Sequence, residues 1–323
     1  MTGLAYDPEY AKVIEPFANS PRSAPPSTAL EMRPGTDLFL SSFMPKFVPG
    51  GKVQQTIFTI KSYDGAELRL YRLATPEHIA ASTPQPAVLA THGGGLAAGS
   101  AEVSLGMYAQ DVLNGDRPVF AIGYRLAPEH PAPTAAEDAF AAFKYLSEHA
   151  KELNIDPARI AVKGESAGGT HAAAVALIAR DREFSPAPAK LIMVYPMLDD
   201  RTNPPADSGF LKLASWSPHQ NKLGWGAYIG EDNVGKPDAN IPAYAVPARA
   251  KSLKGLPSTY IDIGSLDLFR DESLEFAQRL MREDVEVEFH LFPGVPHAFD
   301  LVAPGTKWQL RALEARTAAL KSF

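Results

Sequence analysis

The chain has 323 residues, 45% of them hydrophobic and 21% charged, enough apolar material for one large folded unit and a poor match to disorder. A formal net charge of -6 excludes the basic surface that nucleic-acid binding needs. Cysteine is absent, which excludes disulfides, thiolate catalysis and cysteine–zinc sites.

The opening MTGLAYDPEYAKVIE carries acids where a secretory leader carries a basic cluster. No stretch of the chain approaches the roughly 18 consecutive apolar residues of a membrane span. A cytoplasmic protein with no membrane contact is expected. Residues 1–49 are rich in Pro, Ser and Ala with weak helical periodicity. Within them 20–27 reads as a loop, because its prolines lack the N–H that a helix or central strand uses. Runs 53–60 and 66–72 alternate polar with apolar residues, and Asp64-Gly65 between them favours a tight turn. An antiparallel hairpin at a sheet edge is expected there.

Beyond the hairpin, 87–91, 119–123, 160–162, 191–195 and 260–263 are continuous apolar runs, the mark of strands buried on both faces. Residues 285–291 alternate more and belong nearer an edge. Helical patterns cover about 134–150, 168–180, 271–282 and 306–321. Strand–helix alternation of this kind predicts an α/β fold, a mostly parallel central sheet flanked by helices. Residues 200–250 break the rhythm with no strand signal and with Trp216, Trp225 and Tyr228 close together. They read either as a helical excursion with its own small core or, with the N-terminal segment, as a cap over a site.

The run 160–169 takes an apolar strand into Gly164-Glu165-Ser166-Ala167-Gly168 and then a small-residue helix. A serine on such a strand-to-helix turn is exposed at the sheet's C-terminal edge, and its tight turn demands small neighbours two residues away. The helix that follows aims its N-terminal N–H groups at the serine. Directly after another strand comes His92-Gly93-Gly94-Gly95, a loop whose backbone can approach a substrate and donate N–H groups, with Ala167, to a developing oxyanion. His92 reads as the holder of that loop. Among the remaining histidines, His297 lies on a turn-rich loop after the last strand, where it can reach back to a nucleophile. His290 sits within the strand on its exposed face, His171 reads as packed or on a pocket wall, and His78, His130 and His149 lie in polar or turn contexts. An acid is left open by position among Asp262 in a strand, Asp267 on the loop beyond it and Asp271 as a helix N-cap; Asp267 fits best. The order Ser, Asp, His is that of hydrolases with this turn.

Together, HGGG at 92–95, YRLAPEHP at 124–131, GESAGG at 164–169, DLFRDE at 267–272 and the His297 loop resemble the hormone-sensitive-lipase-like esterases, from about residue 50 onward. The resemblance implies an α/β-hydrolase fold with a helical cap: residues 1–50 its N-terminal part, 51–323 the catalytic domain, and a cap insertion at about 201–250. It implies a serine carboxylesterase acting on small-molecule esters of short to medium acyl chain, with no metal and no cofactor. Ser166 is then the nucleophile, His297 the base and Asp267 the acid, which opens the D-x-x-R-D-E run. Gly94 and Gly95 join Ala167 as oxyanion donors, Gly93 shapes the loop, and 124–131 is structural. A homodimer through the outer strand and last helix is a further implication. Three departures bear on pocket shape: Glu165 where aspartate is commoner, Leu96 where an aromatic is common, and Ala298 where glycine often follows the histidine. Trp216, His219, Trp225 and Tyr228 are candidate pocket residues, with core packing as the alternative. Two other readings compete: an amidase, formamidase or lactonase with the same triad, and a non-catalytic small-molecule receptor on this scaffold, against which His297 argues.

Overall fold

The computed structural model describes residues 3–17 and 24–323; residues 20–23 of the expected proline-rich loop lie outside the described residues. Eight strands form one sheet in the order β1-β2-β4-β3-β5-β6-β7-β8. They are β1 (Gln54–Lys61), β2 (Glu67–Ala74), β3 (Gln85–Thr91), β4 (Val119–Ile122), β5 (Ile155–Glu165), β6 (Lys190–Val194), β7 (Thr259–Gly264) and β8 (Val287–Phe292). β2 runs antiparallel to both neighbours, and every pairing from β4 to β8 is parallel. The expected hairpin is β1–β2 at one edge. The alternating segment is β8 at the other edge, with Leu291 exposed. Between them β4, β6 and β7 are buried throughout, as are the C-terminal halves of β3 and β5, because helices cover both faces.

Register brings the strand ends that matter into line: Thr91 pairs with Gly164, and Glu165 with Val194. Helix Ala167–Asp181 leaves this edge with thirteen residues buried, and its run of alanines lets it lie close against the sheet. The helices expected around 134–150, 271–282 and 306–321 are Thr134–Glu148, Arg270–Arg282 and Lys307–Lys321. Asp271 is not the N-cap: the helix already begins at Arg270, Phe269 occupies the cap, and Asp271 pairs with the Arg270 guanidinium at 2.7 Å.

Among the described residues, two fifteen-residue helices went unrecognised in the sequence. Ala101–Gly115 is capped by Ser100, and Ala29–Phe43 by Thr28, whose hydroxyl accepts from the Glu31 N–H. The second carries Pro34 inside it, so weak periodicity there concealed a 15-residue helix. It buries Ala29 and Met32 against Ala97 and packs on helix Pro218–Ile229, the main helix of the 200–250 excursion. Arg249 and the buried Asp200 join the two ends of that excursion through paired contacts of 2.6 and 2.8 Å.

Candidate active site

Ser166 stands between β5 and helix Ala167–Asp181 with φ 54° and ψ −119°, a conformation an L-residue adopts only when its surroundings hold it. The hold is visible: its N–H donates to Val194 O at 2.9 Å, and its carbonyl accepts from Gly169 N and Met197 N at 2.9 and 3.0 Å. The turn is so tight that a Cβ at Gly164 would lie 2.2 Å from Gly168 O, and one at Gly168 1.9 Å from Thr91 O. Only glycine fits either place, which is the steric content of the G-x-S-x-G spacing.

His297 and Asp267 arrive from two loops at the ends of β8 and β7. The loops are laced together by Leu266 N to Val295 O at 3.1 Å and Gly294 N to Ser265 Oγ at 2.9 Å. His297 Nε2 lies 2.8 Å from Ser166 Oγ and Nδ1 lies 2.7 Å from Asp267 Oδ2. A carboxylate only accepts, so Nδ1 carries the proton and Nε2 accepts from the serine hydroxyl. Asp267 is fully buried, and its Oδ1 accepts the Phe269 N–H at 2.9 Å. Tyr195 and Phe269 meet the imidazole edge-to-face at 4.8 and 5.1 Å, limiting its rotation. Sequence reasoning passed over both aromatics, since nothing in their local patterns differs from core packing.

The other acidic candidates are committed elsewhere. Asp262 takes two hydrogen bonds from Arg316 at 2.6 and 2.9 Å and one from Tyr260 at 2.8 Å. Asp271, as above, pairs with its neighbour.

Opposite the histidine, the 92–99 loop is held rigidly. His92 Nδ1 donates to Gly93 O at 2.8 Å, its ring stacks on Tyr124 at 4.2 Å, and the Tyr124 hydroxyl donates to His92 O at 2.6 Å. Complete burial pushes the His92 pKa down to about 4, so the ring is neutral and acts as a strut. His171, also buried, packs edge-on to Tyr124 and is pushed down to about 3 by burial. Gly94 adopts φ 141°, where a Cβ would lie 1.9 Å from Ala98 O. Among the described residues, no protein acceptor engages the N–H groups of Gly94, Gly95 or Ala167.

A cavity of about 180 Å³ opens beside His297, walled by Gly35, Thr36, Phe39, Trp216, Gln220 and Ala298. Of the four aromatic or histidine candidates from the excursion, Trp216 alone lines it, packed against Gly95. Trp225 and Tyr228 are fully buried in the main core, with the Tyr228 ring edge-on to His171 of helix Ala167–Asp181 at 5.8 Å. His219 points away, exposed, with Nε2 2.7 Å from Pro26 O. The wall from residues 35–39 was missed with its helix. Ala298 adopts φ 56° and Leu96 φ 69°, so two of the three departures fall where a glycine would be unstrained. The third, Glu165, is buried with its carboxylate 2.6 Å from Lys163 Nζ and 3.1 Å from the Tyr108 hydroxyl.

No helix among the described residues is long and apolar enough to cross a membrane, and no group of three or more His, Asp or Glu side chains there is arranged to hold a metal. Comparison with known proteins matches residues 88–301 to a family described as having the alpha/beta hydrolase fold. The esterase LipI of Mycobacterium tuberculosis is 36% identical over 218 residues, 66% of this chain and 65% of its own length. For the carboxylic ester hydrolase LipN of the same organism the shared region is 57% of its length at 33% identity. The chain thus spans under two thirds of these two relatives. Among solved structures, a bacterial heroin esterase superposes with a TM-score of 0.87 at 33% identity, covering 98% of this chain and 97% of that one. With the sheet order, the turn at Ser166 and these matches together, the chain belongs to the hormone-sensitive-lipase-like branch of the α/β-hydrolase family.

Proposed function

We propose that this protein is a serine carboxylesterase hydrolysing small-molecule esters of short to medium acyl chain. The observation that carries the reading is the line Asp267–His297–Ser166, hydrogen-bonded throughout, beside three backbone N–H groups that no acceptor among the described residues engages. The esterase names of LipI, LipN and the heroin esterase add support.

In this mechanism Ser166 Oγ bonds to the ester carbonyl carbon while its proton passes to His297 Nε2. Asp267 stabilises the resulting imidazolium through Nδ1. The carbonyl oxygen becomes an oxyanion facing the N–H groups of Gly94, Gly95 and Ala167, at the positive end of helix Ala167–Asp181. His297 then returns its proton to the leaving alkoxide, the C–O bond breaks, and alcohol departs. Water repeats the sequence on the acyl-enzyme: it gives a proton to His297, the acid leaves, and Ser166 recovers its hydrogen. Each step moves protons and electron pairs among groups already present, and none calls for a metal or cofactor.

Helix Ala29–Phe43 and the 200–250 excursion act in this reading as the cap, and the roughly 180 Å³ cavity under them limits the size of substrate groups beside His297. Cytoplasmic action and pairing of two copies through β8 and the last helix belong to the same reading. Exposed Leu291 and Leu310 on those elements support the pairing, which sedimentation would test. The activity itself is tested by offering matched esters, amides and lactones at equal concentration. Esters are expected to be hydrolysed with the highest kcat/KM, and a tenfold or greater advantage for amides or lactones would overturn the assignment.

A further inference from the structure

The triad and the oxyanion N–H groups come from the sheet and its loops, yet the outer side of the 92–99 loop is held by helix Ala29–Phe43. Asp37 Oδ1 accepts the Gly99 N–H at 2.7 Å, and Arg33 Nε donates to Ala97 O at 2.5 Å. Arg33 also donates to Ala127 O at 2.8 Å and pairs with Glu129 through both terminal nitrogens at 2.6 and 2.7 Å. One guanidinium and one carboxylate, a helical turn apart, therefore grip both the loop and the 124–131 segment behind it. Space around Gly99 is minimal: a Cβ there would lie 2.4 Å from Gly93 O, 3.1 Å from His92 Nδ1 and 3.2 Å from Leu40 of the helix. Any shift of Gly99 is passed to the HGGG backbone through direct contact.

That helix also forms the cavity wall beside His297 through Gly35, Thr36 and Phe39. Residues 33 and 37, which hold the loop, and residues 36 and 39, which meet the substrate space, are interleaved on one rigid element. We infer that Asp37, assisted by Arg33, is a positioning residue for the oxyanion loop, and that docking of helix Ala29–Phe43 couples substrate-cavity shape to the placement of the Gly94 and Gly95 N–H groups.

This rests on the esterase reading, so wild-type turnover of p-nitrophenyl acetate is measured first; no turnover would mean that the reading itself has failed. The test then compares Asp37→Ala with Asp37→Asn. Asparagine keeps an oxygen that can accept from Gly99, and alanine does not. Losing one oxyanion donor costs roughly 10²–10³-fold in kcat, and a donor displaced without being lost is expected to cost about tenfold or more. Asp37→Ala is therefore expected to lower kcat by about tenfold to a hundredfold with KM nearly unchanged. Inhibition by a trifluoromethyl ketone, whose serine adduct carries an oxyanion, should weaken by the same factor, and Asp37→Asn should recover most of both. Leu280→Ala, a core substitution in helix Arg270–Arg282 far from the loop, serves as the matched control for lost melting temperature and should leave kcat in place. The inference is overturned if active wild-type enzyme gives an Asp37→Ala variant with unchanged kcat. It is equally overturned if Asp37→Asn loses as much as Asp37→Ala, or if both merely track the thermal loss seen in the control.

Discussion

Replacing Asp267 by asparagine changes one oxygen to an NH₂ with almost no change in shape, and the surroundings decide which atom goes where. Oδ1 accepts from the Phe269 N–H at 2.9 Å, and Oδ2 accepts from His297 Nδ1 at 2.7 Å. If the amide oxygen keeps the Phe269 bond, the NH₂ faces Nδ1, and the imidazole must carry its proton on Nε2 instead. Nε2 then donates to Ser166 and cannot take its proton. If the amide flips, NH₂ opposes the Phe269 N–H, two donors facing each other in a buried site, at about 1–3 kcal/mol. The first arrangement is the cheaper, so the variant folds with the base in the wrong tautomer. Loss of the buried charge also removes the stabilisation of the imidazolium. The expected fall in kcat is about 10⁴-fold, equivalent to roughly 5 kcal/mol of barrier. The assay is kcat and KM for p-nitrophenyl acetate at pH 7, alongside a melting curve. A folded Asp267→Asn variant within tenfold of wild-type kcat would refute the role given to Asp267 and return the question to Asp262 and Asp271.

Two further predictions concern stability. His92 and His171 are held at about 4 and about 3 by burial, below the ordinary 6.5, so the unfolded chain binds protons at these sites that the folded chain refuses. Their contribution is present above pH 6.5 and is lost as pH falls from there. At pH 5 each has given up about 2 kcal/mol, so urea unfolding at pH 8 and pH 5 should differ by a few kcal/mol, and His171→Leu should flatten part of that slope. Equal stability at the two pH values would contradict this. Lys163 is buried between Asp111 and Glu165, at 2.5 and 2.6 Å. Lys163→Met strands two buried carboxylates next to the serine turn and is expected to cost about 3–5 kcal/mol by denaturant unfolding at pH 8, with part recovered at pH 5 as Glu165, whose pKa burial already raises, protonates. A loss under 1 kcal/mol would show that the cluster is already neutral.

What was legible in the sequence follows from how local the causes are. The turn at Ser166 could be read because its steric demand falls on Gly164 and Gly168, two residues either side. The buried strands could be read because full burial leaves continuous apolar runs. His297 stood out by lying on a loop after the last strand, whereas Asp267 needed the D-x-x-R-D-E resemblance to separate it from Asp262, whose partner Arg316 is 54 residues away. Helix Ala29–Phe43 was obscured by its own Pro34 and Gly35, and its stability comes from packing on Ala97 and the excursion. With it went Phe39, together with Arg33 and Asp37, whose hydrogen-bond partners lie 62 to 96 positions along the chain. Trp216, Trp225 and Tyr228 are equally aromatic in sequence. Only the way their segment packs in the folded chain turns Trp216 to the cavity and the other two to the core.

In the proposed mechanism Ser166 Oγ, activated by His297, is the atom that attacks substrate. Treatment with a fluorophosphonate followed by intact mass and peptide mapping tests it most directly. A single stoichiometric adduct on the peptide carrying Ser166 is expected, with parallel loss of ester hydrolysis and neither labelling nor turnover in folded Ser166→Ala. Labelling or hydrolysis that survives Ser166→Ala would contradict it.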